Sequence, residues 1–336
     1  MQRQTLDAFD VARLVPGFRP PPQSTASPGE ASADPAAIAA ADAAMRRWQS
    51  PVPGPLVPGS DAHREASCRM FRDTFNPYRP AVLDWPVLAP EVRDRIVSLP
   101  IWDIAVQTEG KARLRMAAYA ATLPEPDMRD ALALNAWEEH RHKEVLARMV
   151  AAYGIALAPE PPTAMPADPE WAYLVTGYSE CIDSFFAFGL FELARRSGLF
   201  PQALVDTFEP VMQEECRHIL LFANWAGWHR ARLSPWRRLR FECKVARAWA
   251  FLVWERIGLA RAVDAGSAAA VQDNNFTLNA AKSVSGDGND LPTLLALCLA
   301  ENERRFAGYD ERLLRPVAVP RLVRSALRLI RLARFR

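Results

Sequence analysis

The phrase Glu-Glu-x-Arg-His occurs twice, at residues 138–142 in "AWEEHRHKEVL" and at residues 214–218 in "QEECRHILLF". Both copies sit inside strongly apolar stretches with helical spacing. No other feature constrains the fold as tightly. A carboxylate is removed from water only at great cost unless a counter-charge meets it. Any fold that buries both copies must therefore supply positive charge between them.

The 3-4 spacing of a bundled helix's buried face can be followed through four segments. The first centres on Glu109, between Ala105 and Ala112. The second carries Glu139 and His142, between Asn135 and Leu146. The third carries Glu180 and Asp183, between Thr176 and Ala187. The fourth carries Glu215 and His218, between Val211 and Phe222. Four glutamates bring four negative charges, which two divalent cations would balance. Glu and His three residues apart point the same way on a helix, so each pair can grip one ion. Oxygen-rich ligands with one imidazole per metal favour iron or manganese, with zinc left open. One carboxylate from each of two helices, plus Glu-x-x-His from each of two more, makes a di-metal bundle site.

Helix punctuation agrees with a bundle. Pro124 and Pro126 divide the first segment from the second, and Gly154 stops the second. A Pro-rich link leads to Asp168 as N-cap, with Pro169 as the first helical residue. Gly198 ends the third helix, and Ser234-Pro235 opens a fifth. Pro210 predicts that the fourth helix starts late or kinks. Short, long and short links predict an all-α four-helix bundle with one long crossover. Residues 98–232 form that bundle. Residues 1–60, rich in Pro and Ala, predict a flexible arm, with a short helix in "DPAAIAAADAAMRRWQ" as its exception. Residues 61–97 form a lead-in, and 233–336 a C-terminal helical extension. Residues 266–290 lack apolar periodicity and predict a mobile loop.

The 336-residue chain is 50% hydrophobic, enough for one large core, and its net charge of +2 argues against bulk polyanion or nucleic-acid binding. Five scattered cysteines without C-x-x-C spacing exclude a disulfide framework and a zinc ribbon. There is no secretory pattern at the start, and no apolar run long enough to span a membrane. The expectation is a soluble cytoplasmic protein.

The sequence resembles the ferritin-like di-iron carboxylate superfamily. The doubled phrase is most similar to those of soluble acyl-carrier desaturases and bacterial multicomponent monooxygenases. "TEGKAR" around Glu109 and "YSECID" around Glu180 support the likeness, which covers residues 98–232. The resemblance implies that Glu109, Glu139, His142, Glu180, Glu215 and His218 are metal ligands. It further implies that Glu138 and Glu214 accept hydrogen bonds from metal-bound histidines, and that Arg141 and Arg217 orient those acids. A metal-bound histidine does need an acceptor on its second nitrogen. The implied cofactor is two iron ions, with a manganese–iron pair as the alternative. The implied activity is oxidation of an organic, hydrophobic substrate by O₂, through hydroxylation or desaturation. Iron or peroxide handling, as in ferritins and rubrerythrins, fits the ligand order equally well. A metal-free scaffold that binds a partner through its basic tail is the third reading.

Other residues are read more plainly. Asp183 is a candidate extra or switching ligand. Phe185, Phe186, Phe188 and Phe191 wall a substrate cavity or simply fill the core. Trp137 and Tyr178 are either relay residues or packing. Cys181 and Cys216 are small buried packing residues, and His140 is a surface residue. No flavin, nicotinamide or iron–sulfur motif is present, so electrons must come from an external reductase or ferredoxin. The substrate is small and hydrophobic, or carrier-bound. The C-terminal "PRLVRSALRLIRLARFR" is a basic amphipathic helix, suited to an anionic membrane, an acidic protein or a solvated face. A homodimer is compatible with all of these.

Overall fold

The computed structural model describes residues 11–21, 34–78, 85–97, 102–157, 164–198, 201–264 and 291–334. Among them there are helices and no strands. The helices are α1 (Val11–Leu14), α2 (Pro35–Met45), α3 (Asp61–Asp73), α4 (Pro90–Val97), α5 (Trp102–Ala120) and α6 (Pro126–Tyr153). They continue with α7 (Pro169–Ser197), α8 (Gln202–Arg232), α9 (Pro235–Asp264), α10 (Leu291–Phe306) and α11 (Ala318–Arg334). The all-α bundle expected from the spacing is what forms. The predicted loop at 266–290 lies outside the described residues.

The punctuation residues act as their chemistry dictates. The Asp168 side chain accepts from the backbone N–H of Trp171, with Pro169 as the first residue of α7. Gly154 caps α6 in the left-handed region, at φ 68° and ψ 31°, where a Cβ would be strained. α8 does not start late: it runs from Gln202 through Pro210.

α5 and α6 form a helical hairpin. α7 packs against α5 and α8, while α3 lies against α6 and α8. α9 and α10 cover α7, and α11 rests on α10 and α7. The largest core cluster joins Tyr119, Leu132, Tyr173, Phe222 and Trp225 at one end of the bundle. A second cluster, with Trp102, Val106, Met149 and Leu204, fills the opposite end. α10 approaches α7 at Gly189, where a Cβ would lie 2.8 Å from the backbone N and Cα of Cys298. Only a glycine permits that approach. α11 buries Val319, Val323 and Leu327 against the body and exposes Leu322, Leu329 and Leu332.

The expected flexible arm needs correction in its described parts. Val15 and Met45 are fully buried, and Val11, Phe18, Trp48 and Leu56 are nearly so. Trp48 pairs with Tyr309 through a backbone bridge. Asp310 Oδ2 accepts from the N–H of Ser50, and Arg312 donates to the carbonyls of Val52 and Gly54. Prolines prevent regular structure here, but well-spaced apolar anchors and backbone hydrogen bonds strap the segment down all the same. The lead-in is also more than a connector. His63, Ser67, Cys68, Met70 and Phe71 of α3 are buried, and His63 Nε2 pairs with Asn224 Oδ1 at 2.9 Å.

Candidate metal centre

Glu139 and His142 on α6, and Glu215 and His218 on α8, each aim one ligand atom at a common point. These atoms lie within 4.8 Å of one another. His218 Nδ1 is 2.6 Å from Glu139 Oε1 and 4.0 Å from Glu215 Oε1. His142 Nδ1 is 3.1 Å from Glu215 Oε1 and 3.9 Å from Glu139 Oε2. Despite this proximity, both Nδ1 atoms and Glu139 Oε1 are buried without an aligned hydrogen-bond partner. The two imidazole rings stack, with centroids 5.4 Å apart.

The outer nitrogens are held in a crossed arrangement. His142 Nε2, on α6, donates to Glu214 Oε2 on α8 at 2.7 Å. His218 Nε2, on α8, donates to Glu138 Oε2 on α6 at 2.9 Å. A carboxylate only accepts, so each histidine keeps its proton on Nε2 and turns the Nδ1 lone pair inward when neutral. Arg217 Nη1 pairs with both oxygens of Glu138, at 2.8 and 3.1 Å, and Arg141 Nη2 pairs with Glu214 Oε1. Burial disfavours the Glu138 carboxylate, but Arg217, His218 and Arg141 hold its pKa far below the usual range. All four charged partners are essentially inaccessible.

The acceptors that finish these arginines come from the lead-in. Arg217 donates to the Phe71 carbonyl and, through Nε, to Thr74 Oγ1 at 2.7 Å. Arg141 Nη1 donates to the Asn76 carbonyl at 2.9 Å. Sequence reading missed all three. Two are backbone carbonyls and carry no side-chain signal. Ser184, whose Oγ donates to Glu215 Oε2 at 3.2 Å, was also missed.

Glu109 on α5 and Glu180 on α7 sit on the wall of the same cavity, beside that four-residue cluster. Burial and the charge of Glu139, to which it is hydrogen-bonded, push the Glu109 pKa well above its usual range. Burial, then Glu139 and Glu215, do the same for Glu180. Both Glu180 oxygens are buried without a partner. Burial opposes charge on His218, yet Glu139, Glu138 and Glu215 outweigh it and push the pKa up to about 10. His142 is raised well above normal against the same opposition, by Glu214, Glu215 and Glu139. Orphaned Nδ1 and carboxylate atoms converging in a buried space are a donor set that fits metal ions.

Asp183 has other partners. Both its oxygens accept from Arg256 Nη2 at 2.9 Å, and Oδ2 also accepts from Ser179 at 2.8 Å. Among the four phenylalanines, Phe191 lines the cavity, whereas Phe185, Phe186 and Phe188 pack in the core. Trp137 lies under the Arg141 guanidinium, 5.1 Å from its ring centre. Tyr178 packs edge-on against Phe222 at 5.0 Å. Burial raises the Cys216 thiol to about 12, as befits a packing residue. His140 is half-buried rather than on the surface, with Nδ1 2.7 Å from Arg113 Nη1.

A cavity of about 250 Å³ opens from the cluster, walled mainly by apolar side chains of α5, α6, α7 and α8. Fold and site together define a class: an all-α bundle with a buried Glu/His cluster able to hold a metal ion. Comparison with family models, with curated proteins and with solved structures finds no match. No helix among the described residues is long and apolar enough to cross a membrane.

Proposed function

We propose that the protein is an O₂-dependent di-iron oxidoreductase of the ferritin-like kind, acting on a hydrophobic organic substrate. Glu109, Glu139, His142, Glu180, Glu215 and His218 would hold two ions, with a manganese–iron pair as the alternative content. The observation that carries this reading is the apolar cavity in direct continuity with the carboxylate–histidine cluster. Iron handling needs a route for ions but has no use for an apolar chamber on the donor atoms. The bound ions would supply the oxidising chemistry. The chain's own part is to orient and to exclude water. The crossed Glu138 and Glu214 fix the imidazoles, and the apolar part of the wall would limit water beside the donor atoms. Electrons would come from an external donor. The exposed arginines and leucines of α11 are the surface we assign to an acidic carrier or an anionic membrane.

Metal analysis by mass spectrometry on protein purified without added metal tests the reading. About two iron, or iron plus manganese, per chain is expected. The Glu139→Ala/Glu215→Ala double variant should lose both ions. The reduced, loaded protein should consume O₂ faster than free ferrous ion. Absence of transition metal, even after anaerobic loading, would end the metalloenzyme proposal.

A further inference from the structure

The cavity has two ends with different chemistry. Towards the start of α5 its wall is apolar: Trp102, Met149, Phe191, Leu204 and Phe208 line it. Beyond Glu109 on α5 the lining includes Lys111 and Arg115, and α7 adds Thr176 and Ser179. The carboxylates lie between the two ends. Six residues of helix separate Glu109 from Arg115, about 9 Å of rise.

Arg115 is unusual in its surroundings. It is half-buried, and it makes no hydrogen bond or ion pair among the described residues. Glu255 is the counter-charge it feels, and the two form no ion pair. Asp183, which lines the same cavity, is taken by Arg256. Burial lowers the Arg115 pKa, whereas Arg46, Arg64, Arg217 and Arg304 are raised by carboxylate partners. A guanidinium on a cavity wall without an ion-pair partner offers its N–H groups to an anion entering that cavity.

We propose that Arg115 binds the anionic head, a carboxylate or a phosphate, of an amphiphilic substrate whose apolar body lies across the carboxylate–histidine cluster into the Trp102–Phe208 chamber. The proposal deepens the functional reading of the same cavity by naming the substrate class. It also sets the reacting carbon several bonds from the head, because the cluster sits about two helical turns from Arg115.

Calorimetric binding of decanoate, decyl phosphate and decanol to the full chain as purified tests it. At least one anion should bind about ten- to hundredfold tighter than decanol, and comparing the two identifies the head. Arg115→Met should bring that anion to within about twofold of decanol while decanol still binds, which also reports an intact chamber. Equal binding of all three by the wild type would overturn the proposal. So would an anion preference that survives Arg115→Met, since the head would then sit elsewhere, such as on the metal ions. Should Arg115→Met fail to fold, Arg115→Gln replaces it, and the wild-type ranking against decylammonium decides: tighter ammonium binding refutes an anion site. No turnover is needed. Anion binding through Arg115 in a protein that takes up no metal would therefore sink the oxidase reading and leave this one standing.

Discussion

Metal loading should expel protons in a countable number. Burial and the charge of Glu139 push the Glu109 and Glu180 pKa values up, towards the neutral acid. His142 and His218 are held as cations by the surrounding glutamates, against burial. A proton on each of the four groups would make two carboxyl and two imidazolium protons. Two dications bring four positive charges and require the same four groups without those protons, so the centre exchanges about four protons for two ions at neutral pH. Overall affinity for the pair should then fall about four decades, or about 5 kcal/mol, for each unit of pH below neutral. The assay is anaerobic titration of ferrous ion into metal-free protein at pH 7, in buffers of differing ionisation enthalpy. The apparent enthalpy plotted against buffer enthalpy should have a slope near four, dropping to about three in Glu180→Gln. A slope below about two, with two ions bound, would refute the assignment of those protons.

Three further outcomes follow from the packing. Arg217→Ala strands the Glu138 carboxylate in the core and should destabilise the protein by about 3–5 kcal/mol in denaturant unfolding. Gly189→Ala drives a methyl into the backbone of Cys298 and should cost about 1–3 kcal/mol, seen as a lower Tm. The strap on the N-terminal segment should be acid-sensitive. Hydrogen bonding to Arg312 lowers the Asp310 pKa to about 2, so its contribution is full above the unfolded value of about 3.9 and is lost as the pH falls through about 2. The Tm difference between wild type and Asp310→Asn should therefore be constant from pH 7 to about 5 and close between about 4 and 2.

Much of the centre was legible because helical periodicity is a strict ruler. Glu139, His142, Glu215 and His218 meet because each lies three residues from its partner on an apolar face. Glu109 and Glu180 reach the same cavity by the same rule. What escaped were partners without a periodic signature. α3 buries His63 and Ser67, and its C-cap Thr74, through hydrogen bonds, so this face does not read as apolar. The Phe71 and Asn76 carbonyls belong to the backbone and are invisible to any reading of side chains. The N-terminal segment was misjudged because proline abundance reports on regular structure and says nothing about anchors such as Trp48 and Met45. At Pro210 two outcomes are open from sequence, a late start or a kink, and the late start is the one that does not occur.

The crossed histidine–glutamate pairs make each copy of the repeated phrase the custodian of the other's ligand. Glu138 steadies His218, and Glu214 steadies His142. Substituting Glu138 or Glu214 should therefore be felt at the opposite half of the centre. Here the two copies are interlocked, because each imidazole of the centre is oriented from the opposite helix.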